Sequence, residues 1–238
     1  MNESKRLTAR RIFQRYIEKG DGLGWFEKLY ASAAGNPDVI PWADLTPNPN
    51  LVSWLNVHRI NGEGRRALKV GCGLGDDAEE LSKRGFHTTA FDISTTAIAW
   101  CKQRFPKTPV HYRACDLFKA PENWTGYFDF VLESYTLQVL PWGLRQKAIK
   151  SIASFVKSAG TLLVISRGRQ PIDPEGKMPW PLTIEVLDGI KSNSLKEIIF
   201  EDFMDDEEPP VRRFRVTYQK LPNEKMLSTP EIDHIFLS

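Results

Sequence analysis

The 238-residue sequence predicts an α/β fold, with a doubly wound, seven-stranded, mostly parallel sheet behind an N-terminal helical cap. Two observations lead to this prediction. From Ala67 onward, short β-rich runs alternate with helical patterns, which is typical of βαβ units and a parallel sheet. The last two β-rich runs are separated only by the acidic segment Glu201–Glu208 and two prolines. That connection is too short for a parallel crossover, so we expect an antiparallel hairpin at the C-terminal sheet edge.

The elements of this sheet follow from local patterns. Asp76–Arg84 and Thr95–Arg104 have helical patterns, and Ser94 stands where an N-cap is expected. Apolar residues at helical spacing over Leu144–Phe155 indicate a further helix, which Gly160 is expected to end. The predicted strands are Ala67–Gly71, Thr88–Phe91, Val110–Ala114, Phe128–Leu132, Thr161–Ser166, Leu195–Phe200 and Arg213–Gln219.

Residues before the alternating pattern form a separate helical preface. We expect residues 1–60 to be a cap or lid segment and residues 61–238 to form a single structural domain. Asn48 and Pro49 provide a helix cap and a favoured first helical residue. The helical stretches of the preface are residues 1–19, Trp25–Ala33 and Leu51–His58.

Composition excludes several classes of protein. Lys and Arg number 32 against 30 Asp and Glu, and 41% of residues are apolar, so the chain is not disordered. The formal net charge of +2 lacks the basic excess of a nucleic-acid binder. No apolar run approaches the roughly 20 residues that a membrane helix needs. Cys72, Cys101 and Cys115 lack metal or redox spacing. We therefore expect a cytoplasmic protein with no metal, no nucleic-acid or membrane partner, and an undetermined oligomeric state.

A glycine-rich loop stands between the first predicted strand and helix. Gly71, Gly73 and Gly75 alternate with Cys72 and Leu74, and glycine lets a backbone turn sharply and approach a ligand. The dinucleotide motif G-x-G-x-x-G is not met, because an aspartate follows Gly75 directly and a second aspartate comes after it. Two carboxylates at a helix N-terminus oppose a pyrophosphate, so the loop favours a nucleoside ligand without a phosphate chain.

Two aspartates follow the next strands. Asp92 ends the second strand, about twenty residues beyond the glycines, where a carboxylate can accept both ribose hydroxyls. Asp116 ends the third strand and can reach an adenine amino group. A helix-cap neighbour and a turn residue are the structural alternatives for these two positions. Because the glycine loop and both aspartates lie at consecutive strand ends, they are expected to meet in one crevice.

Four segments resemble, in order and spacing, the motifs of class I S-adenosylmethionine-dependent methyltransferases, whose fold is Rossmann-like. These segments are Leu68–Gly75, Phe91–Ser94, Cys115–Leu117 and Phe128–Leu140. The resemblance implies S-adenosyl-L-methionine as cofactor. The cofactor contacts that it implies are Gly71, Gly73, Gly75 and Glu133 at the methionine part, Asp92 at the ribose, Ile93 and Leu117 around adenine, and Asp116 at the adenine amino group.

Two further segments are similar to the thiopurine, thiol and halide methyltransferase branch, which acts on small soft nucleophiles. They are Ile40–Trp42 and Ser134–Pro141, the latter followed by Leu144 and Arg145. The resemblance implies that Trp42 packs over the cofactor near its sulfonium; a hydrophobic staple against the first helix is the alternative. The chain departs from the branch after the fourth strand, where an Asp-Arg-Gly type sequence is common in that branch.

These features predict an enzyme that transfers a methyl group, by in-line displacement, to a small-molecule nucleophile. A soft sulfur, a halide or a similar anion is favoured, and the predicted pocket aromatics are Trp25, Tyr135 and Trp180. No catalytic residue is assigned. One alternative is a catalytically silent S-adenosylmethionine-binding partner or sensor. A less favoured one is an NAD-dependent oxidoreductase, because the third glycine of its motif is missing.

Overall fold

The computed structural model describes residues 3–222, so residues 223–238 of the predicted domain lie outside the described part. The strands are β1 (Arg66–Val70), β2 (His87–Asp92), β3 (His111–Ala114), β4 (Phe128–Ser134), β5 (Val156–Arg167), β6 (Leu195–Met204) and β7 (Arg212–Lys220). The α-helices are α1 (Glu3–Ile17), α2 (Gly24–Ala33), α3 (Pro49–Val57), α4 (Asp76–Lys83), α5 (Thr95–Arg104), α6 (Trp142–Phe155) and α7 (Ile184–Lys191).

The strands form one sheet in the order β3-β2-β1-β4-β5-β7-β6. The first five are parallel, whereas β7 runs antiparallel to both β5 and β6. This arrangement confirms the predicted α/β fold, including the antiparallel hairpin at the edge. The chain moves outward from β1 to β3 and then returns to place β4 on the other side of β1. The crevice at the carboxyl ends of β1 and β4 is the usual ligand position in such sheets.

Apolar layers cover both faces of the sheet, as double winding requires. On one face, Leu68 and Val131 belong to a buried cluster that also contains residues of α6 and α7. On the other face, Phe130 and Leu163 share a cluster with residues of α3 and α4. Alternate residues of β1 and β4 thus point to opposite cores, and near-continuous apolar runs are the consequence.

The N-terminal helices pack against the edge of the sheet domain through a third cluster. It contains Trp25, Tyr30 and Ile40, all essentially inaccessible to solvent, together with Met178 from the segment after β5. At α3, the indole N–H of Trp54 donates a 3.0 Å hydrogen bond to the hydroxyl of Thr217 on β7. None of the described helices is both long and apolar enough to cross a membrane.

Two predicted boundaries are wrong. The helix α6 ends at Phe155 rather than at Gly160, because Val156 already pairs with Phe128 in the sheet. The register between β4 and β5 shifts next to this pair, and a side chain at Gly160 would lie 2.8 Å from the carbonyl oxygen of Lys157. The glycine therefore accommodates a bulge within β5 and not the end of a helix.

The predicted acidic turn is shorter than expected, because β6 continues to Met204. Its acidic residues are tolerated in a strand since arginines of β7 face them. Asp202 pairs with Arg212, and Glu201 pairs with Arg215, in both cases through two hydrogen bonds to the guanidinium group. Cross-strand ion pairs of this kind stabilise an edge hairpin.

Candidate functional site

A cavity of about 1080 Å³ opens at the carboxyl ends of β1, β2 and β4. Its wall combines the glycine loop, the residues that end these strands, and parts of the N-terminal segment from Pro41 to Ser53. Ligand pockets usually enclose about 300–1,000 Å³, so this cavity is slightly larger than the usual range. The cavity therefore lies where the fold predicts a ligand, with the N-terminal segment as one of its walls.

Asp92 ties the glycine loop to the second strand. Its Oδ2 accepts a 3.0 Å hydrogen bond from the Gly73 N–H, and its Oδ1 accepts a 2.9 Å bond from the Ser94 N–H. Burial raises the pKa of Asp92, and these backbone bonds oppose the rise. A carboxylate offers about four acceptor positions, so capacity remains for hydroxyl donors in the cavity.

The three glycines of the loop have positive φ angles but different surroundings. A side chain at Gly73 (φ +54°) would lie 3.3 Å from the hydroxyl of Tyr30 at the cavity wall. At Gly71 it would lie 2.4 Å from the Thr136 hydroxyl, and at Gly75 the same distance from the Tyr112 hydroxyl. Gly71 and Gly73 line the cavity, whereas Gly75 does not and instead packs against the sheet domain.

Cations offset the paired aspartates at the start of α4. Asp76 accepts hydrogen bonds of 2.8 and 2.7 Å from the Arg104 guanidinium. Asp77 accepts a 2.8 Å bond from the Asn48 N–H and lies 3.9 Å from the ammonium of Lys69, and burial raises its pKa. Lys69 is nearly inaccessible and also lines the cavity. In the sequence, this position was marked only by a lysine within the otherwise apolar predicted strand Ala67–Gly71.

Three further predicted contacts lie on the cavity wall, namely Ile93, Asp116 and Leu117. The Oδ1 of Asp116 accepts a 2.8 Å hydrogen bond from the Phe118 N–H, which caps a short 3₁₀ turn over Leu117–Lys119. No described residue donates to the Oδ2 of Asp116. A purely structural role of Asp116 as a turn residue therefore accounts for only one of its two carboxylate oxygens.

Glu133 lies beneath the cavity and not on its wall. Its Oε1 accepts hydrogen bonds of 2.7 and 2.9 Å from the N–H groups of Thr136 and Leu137. Its Oε2 is buried and, among the described residues, lacks a hydrogen-bond partner. Burial raises the pKa of Glu133 to about 7. The carboxyl group thus fixes the backbone after β4, which carries the cavity residues Tyr135 and Thr136.

The predicted aromatic residues divide between wall and core. Trp42 lines the cavity, and its indole N–H donates a 2.7 Å hydrogen bond to Tyr30. Tyr135 also lines it, with a φ of +63° and the Arg213 guanidinium 5.2 Å from its ring centroid. Burial raises the pKa of the Tyr135 hydroxyl.

Trp25 and Trp180 are not part of the described cavity wall, which corrects their prediction as pocket residues. Trp25 is completely buried, with Phe26 at a centroid distance of 4.0 Å and Trp42 edge-on at 6.0 Å. The ring of Trp180 packs against Phe13 instead, although its neighbours Met178 and Pro179 do line the cavity. Both indoles thus stabilise the layer behind the wall.

Residues 67–160 match the family model described as a methyltransferase domain. This segment is thus similar to methyltransferase domains, and the architecture of the sheet agrees with the Rossmann-like fold predicted from the motifs. Several solved structures have an architecture similar to that of this chain. One, from work on the conversion of a disulfide bond into a thioacetal group during echinomycin biosynthesis, has a TM-score of 0.70 at 19% identity and covers 88% of this chain and 99% of that chain.

Two more proteins extend this likeness. The 1,6-didemethyltoxoflavin-N1-methyltransferase of Burkholderia thailandensis, solved with 1,6-didemethyltoxoflavin and S-adenosylhomocysteine, has a TM-score of 0.64 at 17% identity, covering 82% of this chain and 87% of that chain. The ubiquinone biosynthesis O-methyltransferase of Dechloromonas aromatica is 29% identical over 138 residues, or 57% of each chain. The chain thus spans little more than half of this curated relative. The resemblance to the thiopurine, thiol and halide branch stays a prediction.

Proposed function

We propose that the protein is an S-adenosyl-L-methionine-dependent methyltransferase acting on a small-molecule nucleophile. The observation that carries the proposal is the hydrogen bond from the Gly73 N–H to Asp92, two residues on the wall of the cavity at the carboxyl ends of β1 and β2. It holds a carboxylate with spare acceptor capacity beside a loop whose glycine leaves room for a ligand. We further propose residues 1–60 as the lid segment and residues 61–238 as the cofactor-binding domain.

The side chains of the cavity fit the three parts of this cofactor. Asp92 would accept the ribose hydroxyls, while Ile93 and Leu117 would border the adenine and Asp116 would accept from its amino group through the free Oδ2. Gly71 and Gly73 would leave space for the methionine part. Gly75 and Glu133 would act from behind, by shaping the loop and the backbone after β4.

The bound cofactor supplies an activated methyl group on a sulfonium with its own leaving group. The protein must then hold an acceptor in line with that methyl, an effect worth up to ~7–11 kcal/mol. Trp42 and Tyr135 border the cavity and would exclude water from the reacting atoms. Tyr30 fixes the Trp42 ring through the hydrogen bond to its indole N–H.

For the acceptor we propose a soft anion, with a thiolate or halide favoured. No histidine lies on the described cavity wall, and an anionic nucleophile needs no general base. The name of the Dechloromonas aromatica relative designates an oxygen acceptor, and the echinomycin structure concerns sulfur chemistry. A phenolic oxygen is therefore the acceptor class that the experiments must separate from sulfur.

Isothermal titration with S-adenosylhomocysteine tests the cofactor. We expect micromolar binding, and Asp92→Asn should weaken it about 10- to 150-fold through loss of charged hydrogen bonds worth ~1.5–3 kcal/mol. Asp188→Asn, at a half-exposed position of α7, is the matched control and should bind like the wild type. Absence of binding, or saturable binding of reduced nicotinamide cofactor instead, would contradict the proposal.

A screen with labelled methyl groups tests the acceptor. Thiophenol, iodide, selenite and catechol are offered to the same preparation, and we expect turnover with thiophenol to exceed that with catechol. Turnover with catechol alone would replace the soft-anion proposal by an oxygen acceptor. Tight cofactor binding with no methyl transfer to any class would support the catalytically silent alternative.

A further inference from the structure

Arg167, the last residue of β5, is a cation on the cavity wall without a counterion. Its guanidinium group makes no hydrogen bond or ion pair within the described residues, although the residue is partly buried and lines the cavity. Its backbone is well fixed, because its N–H donates a 2.9 Å bond to the Gln138 side chain and its carbonyl accepts a 2.8 Å bond from the Leu182 N–H. The side chain is thus positioned on a rigid strand end.

The charges around Arg167 do not compensate it. Burial lowers the pKa of its guanidinium, and the nearby Arg6 and Arg213 lower it further. Glu207 acts in the opposite sense, but this carboxylate already pairs with Arg213, as does Asp205. Withdrawing a cation from water without a partner costs free energy, and a ligand anion would recover it.

Of the other acidic side chains on this part of the cavity wall, two are also engaged, whereas Asp206 is exposed to solvent. Glu201 pairs with Arg215, and Asp202 pairs with Arg212. Arginine pairing therefore offsets four of the five carboxylates that β6 and the turn after it place on the cavity wall. Asp92 and Asp116, the proposed nucleoside contacts, follow β2 and β3 on the far side of β1, whereas Arg167 ends β5 beyond β4. The guanidinium of Arg167 and these two carboxylates thus lie on opposite sides of β1 in the sheet.

We propose that Arg167 binds a carboxylate of the methyl acceptor, so that the substrates of this site are small organic acids carrying the nucleophile. This inference deepens the proposed function and rests on it. A guanidinium presents two parallel N–H donors that match the two oxygens of a carboxylate, and this fork gives orientation as well as affinity. With its acid group held at Arg167, an acceptor extends past Tyr135 toward the glycine loop.

The test is titration of 4-mercaptobenzoate and its neutral counterpart 4-mercaptobenzamide into protein saturated with S-adenosylhomocysteine. We expect the wild type to bind the acid at least tenfold more tightly than the amide. Arg167→Gln should abolish this preference, and Arg167→Lys should retain part of it because the charge remains without the fork. Arg15→Gln removes the same charge from an exposed position of α1 and should behave like the wild type.

The affinity for S-adenosylhomocysteine distinguishes a failure of the proposed function from a failure of the Arg167 assignment. S-adenosylhomocysteine should bind wild type, Arg167→Gln and Arg167→Lys within about twofold. Wild-type protein that does not bind the cofactor contradicts the proposed function itself. Normal cofactor binding without preference for the acid, or a preference that survives in both variants, overturns only the assignment of Arg167. A tenfold loss of cofactor affinity in Arg167→Gln would assign the guanidinium to the carboxylate of the cofactor, and would also overturn it.

Discussion

The indole N–H of Trp42 donates a 2.7 Å hydrogen bond to the hydroxyl of Tyr30, and both residues lie next to Gly73 of the glycine loop. A side chain at Gly73 would meet both partners, at 3.3 Å from the Tyr30 hydroxyl and 3.9 Å from the Trp42 ring. Tyr30 is completely buried, and burial raises the pKa of its hydroxyl well above the ordinary value. The hydroxyl therefore stays protonated and holds the ring of Trp42 against the cavity.

We predict that Trp42→Ala weakens S-adenosylhomocysteine binding about tenfold, because a wall of the cavity is lost. Tyr30→Phe should have a smaller effect on binding and lower the free energy of unfolding by about 1–2 kcal/mol, since a partly buried indole N–H loses its acceptor. Titration calorimetry and urea denaturation measure the two effects. Trp142→Ala, at a 63% exposed ring, is the control. Equal affinity of Trp42→Ala and this control would contradict the prediction.

Alanine substitutions at three glycines distinguish positions that leave space for a ligand from positions that are needed for packing within the domain. Gly75→Ala places a methyl group 2.4 Å from the Tyr112 hydroxyl at a φ of +96°, so we expect a loss of more than about 2 kcal/mol of unfolding free energy. Gly73→Ala has more room, and its main effect should be weaker cofactor binding. Gly143→Ala, in α6 with no atom nearby, should raise stability by about 0.5–1 kcal/mol. The free energy of unfolding should therefore be highest for Gly143→Ala, intermediate for Gly73→Ala and lowest for Gly75→Ala. Any other order in urea denaturation would contradict this assignment.

The residues at the strand ends were predictable from the sequence, because β-rich runs alternate with helical patterns along the chain. Asp92 and Asp116 each follow a β-rich run, and parallel strands end at the same edge, so their convergence follows from topology alone. The orientation of the aromatic residues was not predictable in this way. Trp25 and Trp42 have the same chemistry and belong to one ring cluster, with centroids 6.0 Å apart. Only tertiary packing decides which of the two borders the cavity.

Charged residues account for the other differences between the sequence-based predictions and the structure. The extension of β6 depends on arginines of β7 that compensate its acidic side chains, and such pairing is invisible when each run is considered alone. The free guanidinium of Arg167 likewise becomes informative only when the partners of Arg213 and Arg215 are known. Sequence patterns indicated where the proposed cofactor end of the site lies, whereas the opposite end depends on tertiary contacts between β5, β6 and β7.

Glu27 connects the helical cap to the sheet domain at the N-terminus of α5. Its carboxylate accepts hydrogen bonds from the Ser94 hydroxyl (2.7 Å) and from the N–H and hydroxyl of Thr96 (3.1 and 2.5 Å). A negative charge at this helix end is also favourable to the helix dipole. We predict that Glu27→Ala lowers the free energy of unfolding by about 1–3 kcal/mol in urea denaturation. Glu18→Ala on an exposed residue is the control, and an equal effect of the two substitutions would exclude this role.

Glu133 predicts a specific pH dependence of stability. Burial raises its pKa from 4.5 to about 7, so between these values the folded protein retains a proton that the unfolded chain has released. The contribution of Glu133 to the free energy of unfolding therefore falls as the pH rises through this window, by about 3 kcal/mol at ~1.4 kcal/mol per pH unit, and is constant above it.

Glu133→Gln resembles the protonated carboxyl group and keeps an acceptor for Thr136 and Leu137. Compared with wild type by urea denaturation at pH 5 and pH 8, the variant should be relatively more stable at pH 8, whereas Glu63→Gln on the surface should follow the wild type at both. Parallel pH profiles for wild type and Glu133→Gln would show that the buried carboxylate is already compensated, and that its unpaired Oε2 has no energetic cost.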